Sequence, residues 1–210
     1  KTASDEEKAI LINKSGSTKE LDPALFPNES LIKNIITGLG SDFKDFQDQM
    51  AQAHNTGQKV IPVIIDSYGG QVYSLMAMIS AINHAELPVA TIVEGKAMSC
   101  GAILFSCGEQ GMRFMDPDAT VMIHDVSSMA WGKVEEVKVS AEETDRLNQI
   151  VYTKMARNCG KKDDYFLKIV HRKGHADWFL DAAEAKKHNL ANQLRVPKFN
   201  ISVGVDIDFE

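Results

Sequence analysis

The segment Val60-Ile61-Pro62-Val63-Ile64-Ile65, followed at once by Ser67-Tyr68-Gly69-Gly70, constrains this chain more than any other. An apolar run without polar alternation makes a strand only where both faces are covered, as in a parallel sheet with helices packed on it. The glycine pair then turns the chain into a helix starting near Gln71. The same unit recurs as a strand over 89–93, a turn over 94–99 and a helix over 101–107, and residues 112–115 and 120–124 supply further strand. Repeated strand-turn-helix units predict an α/β fold with parallel pairing.

Ahead of these units, Ala9-Ile10-Leu11-Ile12 reads as a short buried strand ended by Ser15-Gly16, after a polar stretch over 1–8 that is expected to fray. Leu31, Ile32, Ile35 and Ile36 have helical spacing before Gly38, and Phe43, Phe46 and Met50 repeat that spacing after Ser41, so two early helices are expected. A long polar helix over 134–158 carries Leu147, Ile150, Val151 and Met155 on one narrow stripe and stops at Gly160, which predicts an element projecting from the core. At the end of the chain Phe199, Ile201, Val203, Val205, Ile207 and Phe209 alternate with Asn200, Ser202, Gly204, Asp206 and Asp208, the pattern of a half-buried strand.

With 210 residues and 44% apolar composition, one domain with a substantial core is expected. The net charge of -6, without any cluster of Lys and Arg, gives nothing to attract a polyphosphate, so nucleic acid is not an expected partner. Cys100, Cys107 and Cys159 are odd in number and lack metal-ligand spacing. They point to a reducing, cytoplasm-like compartment, with Cys107 and Cys159 as small buried hydrophobes. No apolar run approaches the ~18 residues of a membrane span and the charged opening is no secretory signal, so a soluble protein without a membrane partner is expected. A first residue Lys1 in place of Met is expected to reflect trimming.

Ala97-Met98-Ser99-Cys100-Gly101 is a relaxed small-x-Ser-x-Gly elbow, in which a tight strand-to-helix turn exposes a hydroxyl beside a helix N-terminus. A serine there also serves as a plain N-cap, so the motif needs partners. Gly69-Gly70 can bring backbone N–H groups close to an oxyanion, with Gly70 and the Cys100 amide as the two donors, or can be an ordinary turn. His124 ends the strand Val121-Met122-Ile123, where a neutral imidazole can take a serine proton. His54, His84, His171, His175 and His188 stand mostly in charged or helical contexts that read as solvated. A carboxylate that fixes the imidazole tautomer could be Asp125, Asp145, Asp163, Asp164, Asp177 or Asp181, and spacing does not choose among them. Asp177 is set apart by the apolar Trp178-Phe179-Leu180 that follows it.

Taken in order, these blocks resemble the ClpP family of ATP-dependent Clp peptidases over roughly residues 60–194. The resemblance rests on Ile64-Ile65-Asp66-Ser67-Tyr68-Gly69-Gly70, on Ala97-Met98-Ser99-Cys100-Gly101-Ala102, on Arg113-Phe114 through Asp116-Pro117 to Val121-Met122-Ile123-His124, and on Asp177-Trp178-Phe179-Leu180 with Ala183-Glu184-Ala185. It implies a ClpP/crotonase-like fold of repeated β-turn-α units with a projecting helical handle. The head would span about 9–125 and 177–194, the handle about 126–176, and residues 195–210 would be a C-terminal strand extension. It carries the nucleophile to Ser99, the base to His124, the orienting carboxylate to Asp177 and the oxyanion donors to the amides of Gly70 and Cys100. The segment between Gly160 and Asp177 is a few residues longer than the family's, which leaves Asp181 and Asp164 as alternatives to Asp177.

The resemblance further implies a serine endopeptidase acting on peptide or unfolded protein, without cofactor or metal, as a homo-oligomer of heptameric rings that can stack into a tetradecamer around enclosed sites. The family's AAA+ unfoldase is the implied partner. Ser127, Met129 and Trp131, in the segment that flanks bound peptide in the family, are the implied substrate contacts. Tyr68 replaces the family's usual proline and Asp66 its usual asparagine, and the first 59 residues lack the family's entrance segment, which fits a divergent member, encoded by a virus and acting in its host's cytoplasm. Competing readings are a crotonase-like acyl-CoA enzyme, a catalytically silent ClpP-like scaffold, and a serine-lysine dyad with Lys96 as base.

Overall fold

The computed structural model describes residues 10–12, 18–20, 35–36 and 43–198. The polar tail over 1–8 and the alternating strand expected over 199–209 lie outside the described residues. Strand β1 (Ile10–Ile12) pairs antiparallel with β2 (Thr18–Glu20), so the early strand is present as expected.

The main sheet holds β3 (Ile35–Ile36), β4 (Ile61–Ser67), β5 (Val89–Met98), β6 (Arg113–Met115), β7 (Thr120–Ile123) and β8 (Trp178–Leu180). Its order is β3-β4-β5-β7-β8, with β6 also on β5, and every pairing is parallel except that of β8 with β7. The apolar run expected to be covered on both faces is β4, where Ile61, Val63 and Ile65 are fully buried. Two readings are corrected. Of the helix expected around Leu31 to Ile36, Ile35 and Ile36 instead pair with Ile64 and Ile65 of β4. Cβ-branched residues suit a ladder, and a distant strand edge outweighs a helical spacing read from the segment alone. The turn expected over 94–99 is also mostly strand. β5 continues to Met98, its first half pairing with β6 and its second half with β7. Glu94 and Gly95 look like turn residues because the strand surfaces there between two buried stretches.

Helices α1 (Phe43–His54), α2 (Val72–Asn83) and α3 (Cys100–Phe105) carry the core contacts. Phe46, Met50 and Ala53 of α1, Leu75 and Met78 of α2 and every residue of α3 are buried. Each large apolar side chain so covered contributes roughly 1.5–3 kcal/mol, which fixes the short α3 despite its poor length. Helix α4 (Val134–Asn158) opens on Glu135 and Glu136, and the Glu136 carboxylate accepts the Lys133 N–H at 3.0 Å. Its C-terminal half buries Leu147, Val151, Tyr152 and Met155, whereas Val134 and Val139 in the first half are exposed. The helix thus leaves the core, though Ile150 of the expected stripe is exposed, and at its far end Gly160 has a φ of 64°, the left-handed stop that favours glycine.

Buried Arg113 ties β6 to the segment after α6 (Ala182–Lys187). Its guanidinium donates to the carbonyls of Gly108, Asn189 and Leu190 and to Gln110 Oε1, and its Nε and terminal nitrogens sit 2.9–3.0 Å from these acceptors. A buried charge is tolerated because four of its five N–H donors are satisfied.

A second buried polar group supports β8. His188 packs edge-on against Trp178, with ring centroids 4.9 Å apart, and lies 2.9 Å through Nδ1 from the Tyr165 hydroxyl at the start of α5 (Tyr165–Arg172). This histidine is buried, not solvated as its helical context implied. Burial pushes its pKa below the ordinary histidine value more than Glu184, 3.8 Å away, restores it. The fold therefore favours the neutral ring. The stability this contributes is complete above the unfolded value of ~6.5 and is lost as pH falls through it toward the folded value. The drop in Tm from about pH 7.5 to about pH 5.5 is expected to be smaller in His188→Gln than in the parent chain; equal drops would rule out His188 as a source of acid sensitivity.

Candidate active site

Strand β5 ends at Met98, and the Ser99 N–H donates to the Met122 carbonyl on β7 at 2.8 Å. The backbone then turns sharply at Ser99, with φ 55° and ψ -122°, and α3 begins at Cys100. L-residues disfavour this region, but it aims the hydroxyl off the strand end and away from the core, beside a helix N-terminus. The glycine turn after β4 lies directly on this serine. Gly69 has a φ of 102°, and a Cβ there would fall 2.7 Å from Ser99 Cβ and 3.0 Å from the Met98 carbonyl oxygen, so only glycine permits the approach. Its N–H donates to Ser67 Oγ at 3.0 Å, which leaves Gly70 as the next amide along the turn. Cys100 Sγ donates to the Gly70 carbonyl at 3.2 Å and so stitches this turn to the start of α3. Burial pushes the Cys100 thiol up, so it is a structural donor and not a thiolate.

His124 follows β7 and presents Nε2 to Ser99 Oγ at 2.8 Å. Its Nδ1 faces Asp177 Oδ1 at 3.4 Å. The antiparallel register accounts for this meeting: Val121, Met122 and Ile123 pair with Leu180, Phe179 and Trp178, and one further step places His124 opposite Asp177. Ser99, His124 and Asp177 therefore lie in one line from three strand ends. Asp181, Asp164 and Asp163 are engaged elsewhere. Asp181 Oδ1 accepts the Glu184 N–H at 2.7 Å as the cap of α6, Asp164 pairs with Lys168 at 2.5 Å, and Asp163 pairs with Arg157 at 2.7 Å. Lys96, the alternative base, is held 2.6 Å from Asp66 Oδ1 and over the ring of Tyr68.

Beside Ser99 opens a pocket of about 60 Å³ lined by Val72, Leu75, Ile103, Val126 and Val151, with Gly70, Cys100, His124 and Ser127 at its rim. Of the implied substrate contacts, Ser127 reaches this pocket, whereas Met129 and Trp131, 76% and 84% exposed, do not line it. Residues 124–132 form no strand.

The sequence matches the protein family described as Clp protease over residues 37–197, more than half of the chain. The chain belongs to the Clp protease family. Membership places it in a family of peptidases and accounts for the α/β fold with its mixed sheet. Members of the family typically form rings and work with unfoldases. Among the described residues no helix is long and apolar enough to cross a membrane, and no group of three His, Cys, Asp or Glu is placed to hold a metal ion.

Reading the sequence alone did not single out Asn148 or His175. Asn148, buried on α4, donates to Asp125 Oδ1 at 2.9 Å and accepts the Val126 N–H at 3.0 Å, holding the chain just past His124. Its position between Leu147 and Val151 was the available signal, since a polar side chain beside a buried stripe needs a buried partner. Cys159 is buried and Cys107 partly so, and burial pushes their thiols up to about 12 and about 11, as small inert hydrophobes would behave.

Proposed function

We propose that this Clp protease family member is a serine endopeptidase in which Ser99 is the nucleophile, His124 the general base and Asp177 the carboxylate that orients it. The observation that carries this reading is the line of contacts from Ser99 Oγ to His124 Nε2 at 2.8 Å and from His124 Nδ1 to Asp177 at 3.4 Å. A base within ~2.6–3.2 Å of the proton it takes is in reach of transfer, and contacts on its far side are commonly looser before substrate binds.

In this reaction an extended peptide lies along residues 127–132 and places a small aliphatic side chain in the apolar pocket. Ser99 Oγ attacks the carbonyl carbon while its proton passes to His124 Nε2. The N–H groups of Gly70 and Cys100 receive the developing oxyanion. His124 returns the proton to the amine as the C–N bond breaks, leaving an acyl-serine. Water then attacks that ester, its proton going to His124 and on to Ser99 as the carboxylic acid departs. No cofactor enters the balance.

The same reading takes residues 9–125 and 177–194 as a head and 126–176 as a handle, with the exposed first half of α4 meeting other protomers in heptameric rings that stack and enclose the sites, fed by an AAA+ unfoldase in a cytoplasm-like compartment. Fluorophosphonate labelling mapped by mass, together with native mass, tests nucleophile and assembly in one preparation. Labelling of Ser99 in a ring is expected. An assembled but unlabelled protein would favour the silent scaffold, and labelling elsewhere would remove Ser99 from the mechanism.

A further inference from the structure

The β7–β8 ladder ends at Ile123 and Trp178, and beyond it a side-chain contact takes over. His175, two residues before Asp177, meets Asp125, the residue after His124, with Nδ1 2.5 Å from Oδ2. The other carboxylate oxygen is held by Asn148 of α4. Burial favours the neutral Asp125 acid, but the hydrogen bonds from Asn148 and His175 outweigh it and hold its pKa below the ordinary carboxylate value. The Tyr152 hydroxyl, buried and without a hydrogen-bond partner among the described residues, faces the same carboxylate, and the His171 ring of α5 lies tilted against that of His175 with centroids 4.6 Å apart.

The backbone commits His175 to this contact. It has a φ of 61°, directly after Gly174 at 68°, and its N–H closes the end of α5 on the Val170 carbonyl at 3.1 Å. A non-glycine residue in this conformation is uncommon, with histidine among those that tolerate it. Asp177 by contrast is 54% exposed, and among the described residues no side chain other than His124 meets its carboxylate. What fixes its approach is the β8 ladder on one side and the His175 contact on the other.

We propose that His175 is a positioning residue for the peptidase: by clamping Asp125 it holds the Asp177 carboxylate against His124. This rests on the Ser99, His124 and Asp177 reading given above. A misplacement of ~1 Å in a catalytic constellation can cost on the order of 10²-fold in rate, so His175→Ala is expected to lower kcat for a small peptide by about 10- to 10²-fold with KM little changed. His175→Asn, which keeps a side-chain N–H donor at the same reach and tolerates the left-handed backbone, is expected to restore most of the loss. Asp125→Ala, which also loses the Asn148 contact, should cost at least as much as His175→Ala, and the double variant should be no worse than Asp125→Ala alone, because the His175 contact is already gone in it.

Each variant is assayed alongside native mass, Tm and the rate of fluorophosphonate labelling of Ser99. If His175→Ala turns over like the parent chain, or Asn fails to rescue, or the two losses multiply, the positioning role is overturned while parent labelling still upholds the triad. If His175→Ala loses its assembly, the comparison of His175→Asn with the parent, at equal native mass, decides: a deficit as large as that of alanine overturns the role. Failure of Ser99 to label in the parent chain overturns the triad reading itself.

Discussion

Peptide hydrolysis by Ser99→Ala is expected to fall to background, with fold and native mass unchanged. In a serine protease whose nucleophile, base and carboxylate act as a unit, loss of the nucleophile alone costs on the order of 10⁶ in rate, about as much as loss of all three. The same cooperation is expected where Oγ and Nε2 are 2.8 Å apart, because His124 without Ser99 has no proton to accept. The structure is indifferent to the hydroxyl. It is not the cap of α3, since the Ser99 side chain makes no capping hydrogen bond there, and the turn is held by the Ser99 N–H and by Gly69. Turnover above a tenth of the parent rate in a preparation free of host peptidases would remove Ser99 as nucleophile.

Asp177→Asn is expected to be the next most damaging change, with a ceiling of about 10⁴ in kcat, the cost of presenting the imidazole in the wrong tautomer. The 3.4 Å separation and the exposure of Asp177 argue for a loss below that ceiling, because water competes for the imidazole N–H. The contrast that makes the test specific is Asp181→Asn. Asp181 caps α6 through the Glu184 N–H, and asparagine caps nearly as well, so that variant should keep both turnover and Tm. Greater damage from Asp181→Asn than from Asp177→Asn would mean that the ladder beyond Trp178 does not continue as its register implies.

How far the sequence discloses these features depends on how local their causes are. The β4 strand, the glycine turn after it and α4 are written in composition and period within a single window, and they stand where the sequence puts them. The two strand errors have one cause. β3 and the second half of β5 are strands because of partners far along the chain, and neither Ile35-Ile36 nor Glu94-Gly95-Lys96 shows that by itself. The meeting of Ser99 with His124 follows from the parallel pairing of β5 with β7, which repeated strand-turn-helix units imply. The approach of Asp177 does not, because β8 runs against β7 and its register is set by the cluster of Trp178, Phe166 and His188. His175 was hidden for a related reason. Its contact with Asp125 spans 50 residues and needs a left-handed backbone that only the structure displays.

The turn at Ser99 also bears on why a serine is there at all. A residue with a Cβ in such a conformation costs of order 1–3 kcal/mol, more than the ~0.5–1 kcal/mol of extra chain entropy that glycine loses on folding. A protein that needed only this shape would be better served by glycine at position 99, and one or two mutational steps would reach it. A lineage relieved of chemistry would drift toward that exchange, gaining robustness as it lost its hydroxyl. On the proposed triad, serine at position 99 trades durability of the fold for a reactive hydroxyl, and a chain that only had to hold this shape would do better without it.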